Sequence, residues 1–125
     1  MDFNLTGFTA AQKQAFLDLL ILAMYADGHL TTYEDEQLQS LLAGMGFTEE
    51  SARHREFDAA VTRIRPMLKD IQIAKTHALL LADAFTVQSQ QAQVLDAVLK
   101  IISSDFQMST WESTLLSELR KKFRL

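Results

Sequence analysis

Cysteine is absent from the 125-residue chain, which excludes disulfide scaffolds, thiol nucleophiles, zinc ribbons and iron–sulfur clusters together. Proline occurs once and glycine four times, so there are few places where a helix is obliged to stop. No apolar run reaches the roughly 20 residues that span a bilayer; the longest, Phe16 to Ala26, contains Asp18. The opening Met1-Asp2-Phe3-Asn4 lacks the basic stretch that begins a secretory signal, and a soluble cytoplasmic protein is expected. With 48% hydrophobic and 22% charged residues, the chain has one domain's length and enough apolar material for a core. A single domain over residues 1–125 follows.

Basic residues are also missing from one long stretch. Between Lys13 and Arg53 there is no Lys or Arg, while Asp18, Asp27, Glu34, Asp35, Glu36, Glu49 and Glu50 all fall there. The N-terminal third therefore carries a one-sided negative field, and Arg120, Lys121, Lys122 and Arg124 make the C-terminus basic. The net charge of -4 argues against nucleic acid as a partner, because phosphate neutralisation supplies most of that affinity.

Apolar residues recur at helical spacing almost throughout, and no run alternates with period two. The pattern predicts an all-α compact bundle of six or seven helices. The first starts at Thr9, where Thr9 and Gln12 form a capping box, and runs to about Ala26. It is apolar on nearly every face and belongs at the centre of the bundle. The second runs from about Thr32 to Ala43 and ends at Gly44-Met45-Gly46. Thr48 is expected to cap a third that ends before Pro66. The fourth runs from Met67 or Asp70 to Ala84, with Ile71, Ala74, Ala78 and Leu81 inward. The fifth covers Gln90 to Ser103, and the sixth begins at Ser109 and buries Trp111, Leu115, Leu116, Leu119 and Phe123. Short connections predict hairpin packing of neighbours.

One segment occurs twice. Asp27-Gly28-His29-Leu30-Thr31-Thr32-Tyr33-Glu34 aligns without a gap on Asp105-Phe106-Gln107-Met108-Ser109-Thr110-Trp111-Glu112. Each copy leaves an apolar helix and enters an amphipathic one through a capping box, an account that explains every residue type without a ligand. Asp27, Gly28, Leu30 and Glu34 also match the back half of a calcium-binding EF-hand loop. Its front half is missing, since Ala23 and Tyr25 stand where oxygen ligands are required. Asp27, His29 and Glu34 together offer donors for zinc; an exposed turn histidine is the plainer account.

The stretch Ala26-Asp27-Gly28-His29-Leu30-Thr31-Thr32-Tyr33-Glu34, between two helices of a small all-helical domain, resembles the tellurite-resistance TerB-like family, and nearly the whole chain fits that pattern. The resemblance implies a bundle of about seven helices, a link to tellurite or general stress resistance, and association with membrane complexes. It further implies that acidic residues bind a divalent cation such as calcium or magnesium. Carried over residue by residue, Asp27 and Glu34 match the first motif, with Gly28 as the bend. Asp105 and Glu112 form a further copy in which Phe106 replaces glycine. The family's second motif falls at Ala82-Asp83-Ala84, where glycine has become Ala84 and the glutamate has become Gln90 or Gln91. These departures remove hard ligands and charge from an inherited site.

No nucleophile with a base, phosphate cradle or tight carboxylate pair is visible. The sequence thus leads to a non-enzymatic interaction or scaffold module with a protein partner and a candidate divalent-cation site at Asp27, Glu34, Asp105 and Glu112. The competing reading is a metal-independent adapter whose acidic N-terminal lobe meets a basic partner. A metal-assisted enzyme at the acidic turn ranks below both.

Overall fold

The computed structural model describes residues 7–25, 32–102 and 110–124, the side chains of residues 25, 32–37 and 100–102 excepted. It is all-helical: α1 (Ala10–Tyr25), α2 (Thr32–Gly44), α3 (Glu50–Ile64), α4 (Ile71–Ala82), α5 (Gln88–Ile102) and α6 (Thr110–Phe123), with a 3-10 turn at Arg65–Lys69 between α3 and α4. Among the described residues no helix is long and apolar enough to cross a membrane.

The capping box of α1 forms as expected. The Thr9 N–H donates to Gln12 Oε1 at 2.9 Å, and the Gln12 N–H donates to Thr9 Oγ1 at 3.0 Å, so two otherwise orphaned donors are satisfied reciprocally. Phe16 to Met24 are all buried, and α1 packs against α3, α4, α5 and α6. A helix apolar on every face can be accommodated only where neighbours cover every face. Phe8, just before the cap, closes one end of this core with Phe16 and Phe85, ring centroids 5.7 to 6.2 Å apart.

At the end of α2, Gly46 has φ +106°, and the Phe47 N–H reaches back to the Leu42 carbonyl at 3.1 Å; this is the left-handed closure that glycine permits. Thr48 does not cap α3. The helix starts one residue later than expected, at an N-cap Glu49 with no side-chain cap bond. The Thr48 carbonyl instead accepts from Arg53 Nη1 at 2.6 Å, while Arg53 Nε donates to Gln39 at 2.9 Å, so one arginine pins the α2–α3 corner. Pro66 sits in the first turn of the 3-10 segment, and Asp70 caps α4 by accepting the Gln72 N–H at 2.6 Å.

Two expectations are corrected. Hairpin packing of neighbours holds for α2 with α3 and for α5 with α6, whereas α4 packs on α1 and α6 rather than on α3 or α5. The inserted 3-10 turn redirects the chain, so α4 does not fold straight back on α3. The inward stripe of α4 is Ala74, Ala78 and Ala82, and Ile71 lies outside. Alanines at this spacing let α4 approach α1 closely, and bulkier residues are turned outward.

Candidate functional site

The sequence-predicted acids divide into those the structure places and those it does not. Asp27 and Asp105 lie outside the described residues, as does His29. Glu34 lies in the first turn of α2, its side chain outside the described set. Glu112, in the first turn of α6, is buried at 6% exposure and engaged by neighbours. Beside it Trp111 is buried, and its indole N–H donates to the Ala23 carbonyl at 3.2 Å. That bond fixes the start of α6 on the last turn of α1. Among the described residues no group of three His, Asp or Glu side chains is arranged to hold a metal ion.

The altered motif at Ala82-Asp83-Ala84 is committed to structure. Asp83 pairs with Lys122 at 2.6 Å. Gln12 Nε2 donates to the Ala84 carbonyl at 3.0 Å and to Gln90 Oε1 at 3.1 Å, and Gln91 Nε2 donates to the Phe85 carbonyl at 2.8 Å. The Gln91 bond requires an amide donor, which an ionised glutamate lacks, whereas Gln90 accepts from Gln12, a role a carboxylate could also fill. Gln91 thus closes the α4–α5 corner in a way that a glutamate at its position could not.

Asp18, which interrupts the longest apolar run, is also explained. It is buried on α1 and accepts from Arg63 of α3 through Nη2 at 2.8 Å and Nε at 3.1 Å. Hydrogen bonding to the Asp18 carboxylate raises the already high Arg63 pKa, against a lowering by burial and with further help from the charges of Asp18 and Glu56. The two form a bidentate pair suited to a low-dielectric setting. The partner could not be read from the sequence, because the two residues are 45 positions apart.

The surface feature that the sequence reading missed is on α4. Among the described residues the exposed large apolar side chains are Ile71, Ile73, Leu80 and Val87, and three of them belong to this one helix. Ile73 is 48% and Leu80 61% exposed. With Met67, Gln72, Thr76 and His77 they line a shallow groove of about 400 Å³. Among the described residues no carboxylate lines it. Arg65 and Lys69, which flank Met67 in the 3-10 turn, are exposed and in no ion pair among the described residues. The signal available in the sequence was the spacing Ala74, Ala78, Ala82 on a helix whose remaining residues are mostly large and apolar.

His54 lies 3.6 Å from Glu50 in an exposed contact on α3, and His77 is half-buried at the α4 groove. Neither faces an arrangement suited to nucleophilic or acid–base chemistry. Compared with protein-family models, curated proteins and solved structures, the chain matches none.

Proposed function

We propose that this chain is a non-enzymatic, TerB-like helical interaction module whose α4 face receives the apolar side of an amphipathic helix carrying acidic residues at one end. The observation that carries the reading is the arrangement of α4, with alanines against the core and Ile73 and Leu80 in water. Covering a large aliphatic side chain contributes roughly 1.5–3 kcal/mol when burial is complete, so a partner that closes over both gains a substantial part of its affinity there. A groove with apolar walls and no carboxylate suits the i, i+3/i+4, i+7 side chains of a docked helix. Arg65 and Lys69 flank Met67 in the 3-10 turn and are exposed, so acidic residues are favoured at that end of the incoming helix and a second copy presenting the same cations is disfavoured.

The test is a designed helical peptide with leucines at that spacing and glutamates at one terminus, titrated into the protein. Amide and methyl shifts centred on Ile73, His77 and Leu80, lost in Ile73→Glu/Leu80→Glu and weakened in Arg65→Glu/Lys69→Glu, are expected. Equal binding to the Ile73→Glu/Leu80→Glu protein refutes the face. A monomer–dimer equilibrium abolished by the same variant replaces the proposed occupant with a second copy of the chain.

A second reading keeps the divalent cation, calcium or magnesium, at Asp27, Glu34, Asp105 and Glu112. It is favoured by the Trp111–Ala23 bond, which holds the first turn of α6 against the last turn of α1. Carboxylate oxygens are the ligands such hard cations take. Ligand binding to the folded state alone raises the melting temperature, and the rise continues with the logarithm of ligand concentration above Kd. Chelator-treated protein is expected to gain stability on adding calcium or magnesium, and Asp27→Asn/Glu34→Gln to lose that gain. Retention of the full gain in the double variant removes these acids from any cation site.

A further inference from the structure

The last turn of the C-terminal helix and the residue just after it carry four cations with different fates. Lys122 is paired with Asp83 across to α4, and Glu118, the acid nearest to them on α6, is occupied by Lys75 at 3.6 Å. Arg120, Lys121 and Arg124 are exposed, and none of the three is in an ion pair among the described residues. All three line a groove of about 560 Å³ together with Ser113 and Ser117, over a floor that includes Leu99 of α5 and Leu116.

The register explains the convergence. Ser113, Ser117 and Lys121 follow at intervals of four, and Ser117, Arg120 and Arg124 at intervals of three and four, so all five share one side of α6. The backbone at Arg124 adopts φ +59°, with its N–H bonded to the Lys121 carbonyl at 3.3 Å. This left-handed turn is unfavourable for a side chain that branches from Cβ, and it ends the helix with Arg124 still on the groove. Cations in a last turn commonly complement the helix dipole. That role calls for neither a groove nor two hydroxyls one turn apart, nor does it explain why no carboxylate lines the same space among the described residues.

We propose that the α5–α6 groove binds an organic phosphate, with the phosphate held by Arg120, Lys121 and Arg124 and the Ser113 and Ser117 hydroxyls, and its carbon skeleton lying over Leu99 and Leu116. Guanidinium forks match phosphate oxygens in pairs, lysine adds a point charge and hydroxyls donate without adding charge. The site is distinct from the α4 face. A soluble phosphate ester and a phospholipid headgroup present this same chemistry.

The probes are glycerol 3-phosphate in solution, and phosphatidylcholine vesicles with and without phosphatidic acid. Saturable binding of glycerol 3-phosphate, with amide shifts at Ser113 and Ser117, supports a soluble ester; binding only to the phosphatidic acid vesicles supports a headgroup. Arg120→Gln/Lys121→Gln/Arg124→Gln should weaken either by at least about tenfold, whereas Arg55→Gln/Arg65→Gln/Lys69→Gln, an equal charge loss elsewhere, should change it by less than about threefold. Ser113→Ala/Ser117→Ala should weaken binding about threefold with no change in charge. The proposal is overturned if the parent protein binds neither probe, if the charge control loses as much as the groove variant, if the serine variant binds unchanged, or if polyglutamate binds as well as the phosphates.

Discussion

Removing either member of the Asp18–Arg63 pair destabilises the fold by unequal amounts, and the inequality follows from where the two groups sit. The Asp18 side chain is 7% exposed and that of Arg63 is 35%. In Arg63→Leu the carboxylate stays buried on α1 without its counter-ion, a situation that costs about 3–5 kcal/mol for a fully enclosed pair. Because water reaches the arginine side of this pair, about 2–3 kcal/mol is expected here. In Asp18→Leu the guanidinium turns toward solvent and a leucine joins an apolar helix, so the loss is only about 1 kcal/mol. The double replacement Asp18→Leu/Arg63→Leu removes both desolvated charges and should lie within about 1 kcal/mol of the parent protein. The resulting coupling of about 3–4 kcal/mol is a large part of the 5–15 kcal/mol that holds a typical domain. Urea unfolding of all four proteins, monitored by helix signal and analysed with a common slope, measures it. Arg63 adds no pH dependence near neutrality. A basic group with a raised pKa contributes stability that is complete below its unfolded value and is lost only on passing above the folded one, and both lie far into the alkaline range. Equal losses in the two single variants, with an additive double variant, would refute the argument that Asp18 burial sets the asymmetry.

The α4–α5 corner and the end of α2 give two further expectations. Gln91→Glu removes the amide that donates to the Phe85 carbonyl at 2.8 Å and sets a carboxylate against it, so a loss of about 1–3 kcal/mol is expected in urea unfolding at neutral pH; an unchanged midpoint would show that the bond is dispensable. Gly46→Ala meets no atom within 4 Å of the added Cβ, so its cost is that of the backbone alone at φ +106°, about 1–2 kcal/mol. A melting temperature matching the parent would mean that the turn relaxes without loss.

How far the fold was legible depends on whether one stretch of chain contained all the information needed. The Thr9–Gln12 capping box, the burial of α1 on all sides and the inward stripe of α6 are local or periodic features, and the structure has them where the sequence put them. The Arg63 partner of Asp18 and the glutamine bonds that close α4 onto α5 join residues from separate helices, and no periodicity in one segment contains them. For the candidate site, Glu112 was identified correctly as a first-turn residue of α6, but its burial was not, because it depends on α6 being seated on α1 through Trp111 and Ala23. The α4 face was misread in part, for a different reason. The expected stripe of Ile71, Ala74, Ala78 and Leu81 holds at Ala74 and Ala78, with Leu81 half-buried against the core, and fails at Ile71, which a rule that places the larger residues inside puts in the core and the structure leaves exposed. Against a helix as crowded as α1, close approach of the two backbones decides which side of α4 faces in, and only the alanine side allows it. The large residues then remain in water, where they contribute nothing to this fold and can contribute to binding, so the surface carrying the proposed function arises from the same packing constraint that orders the core.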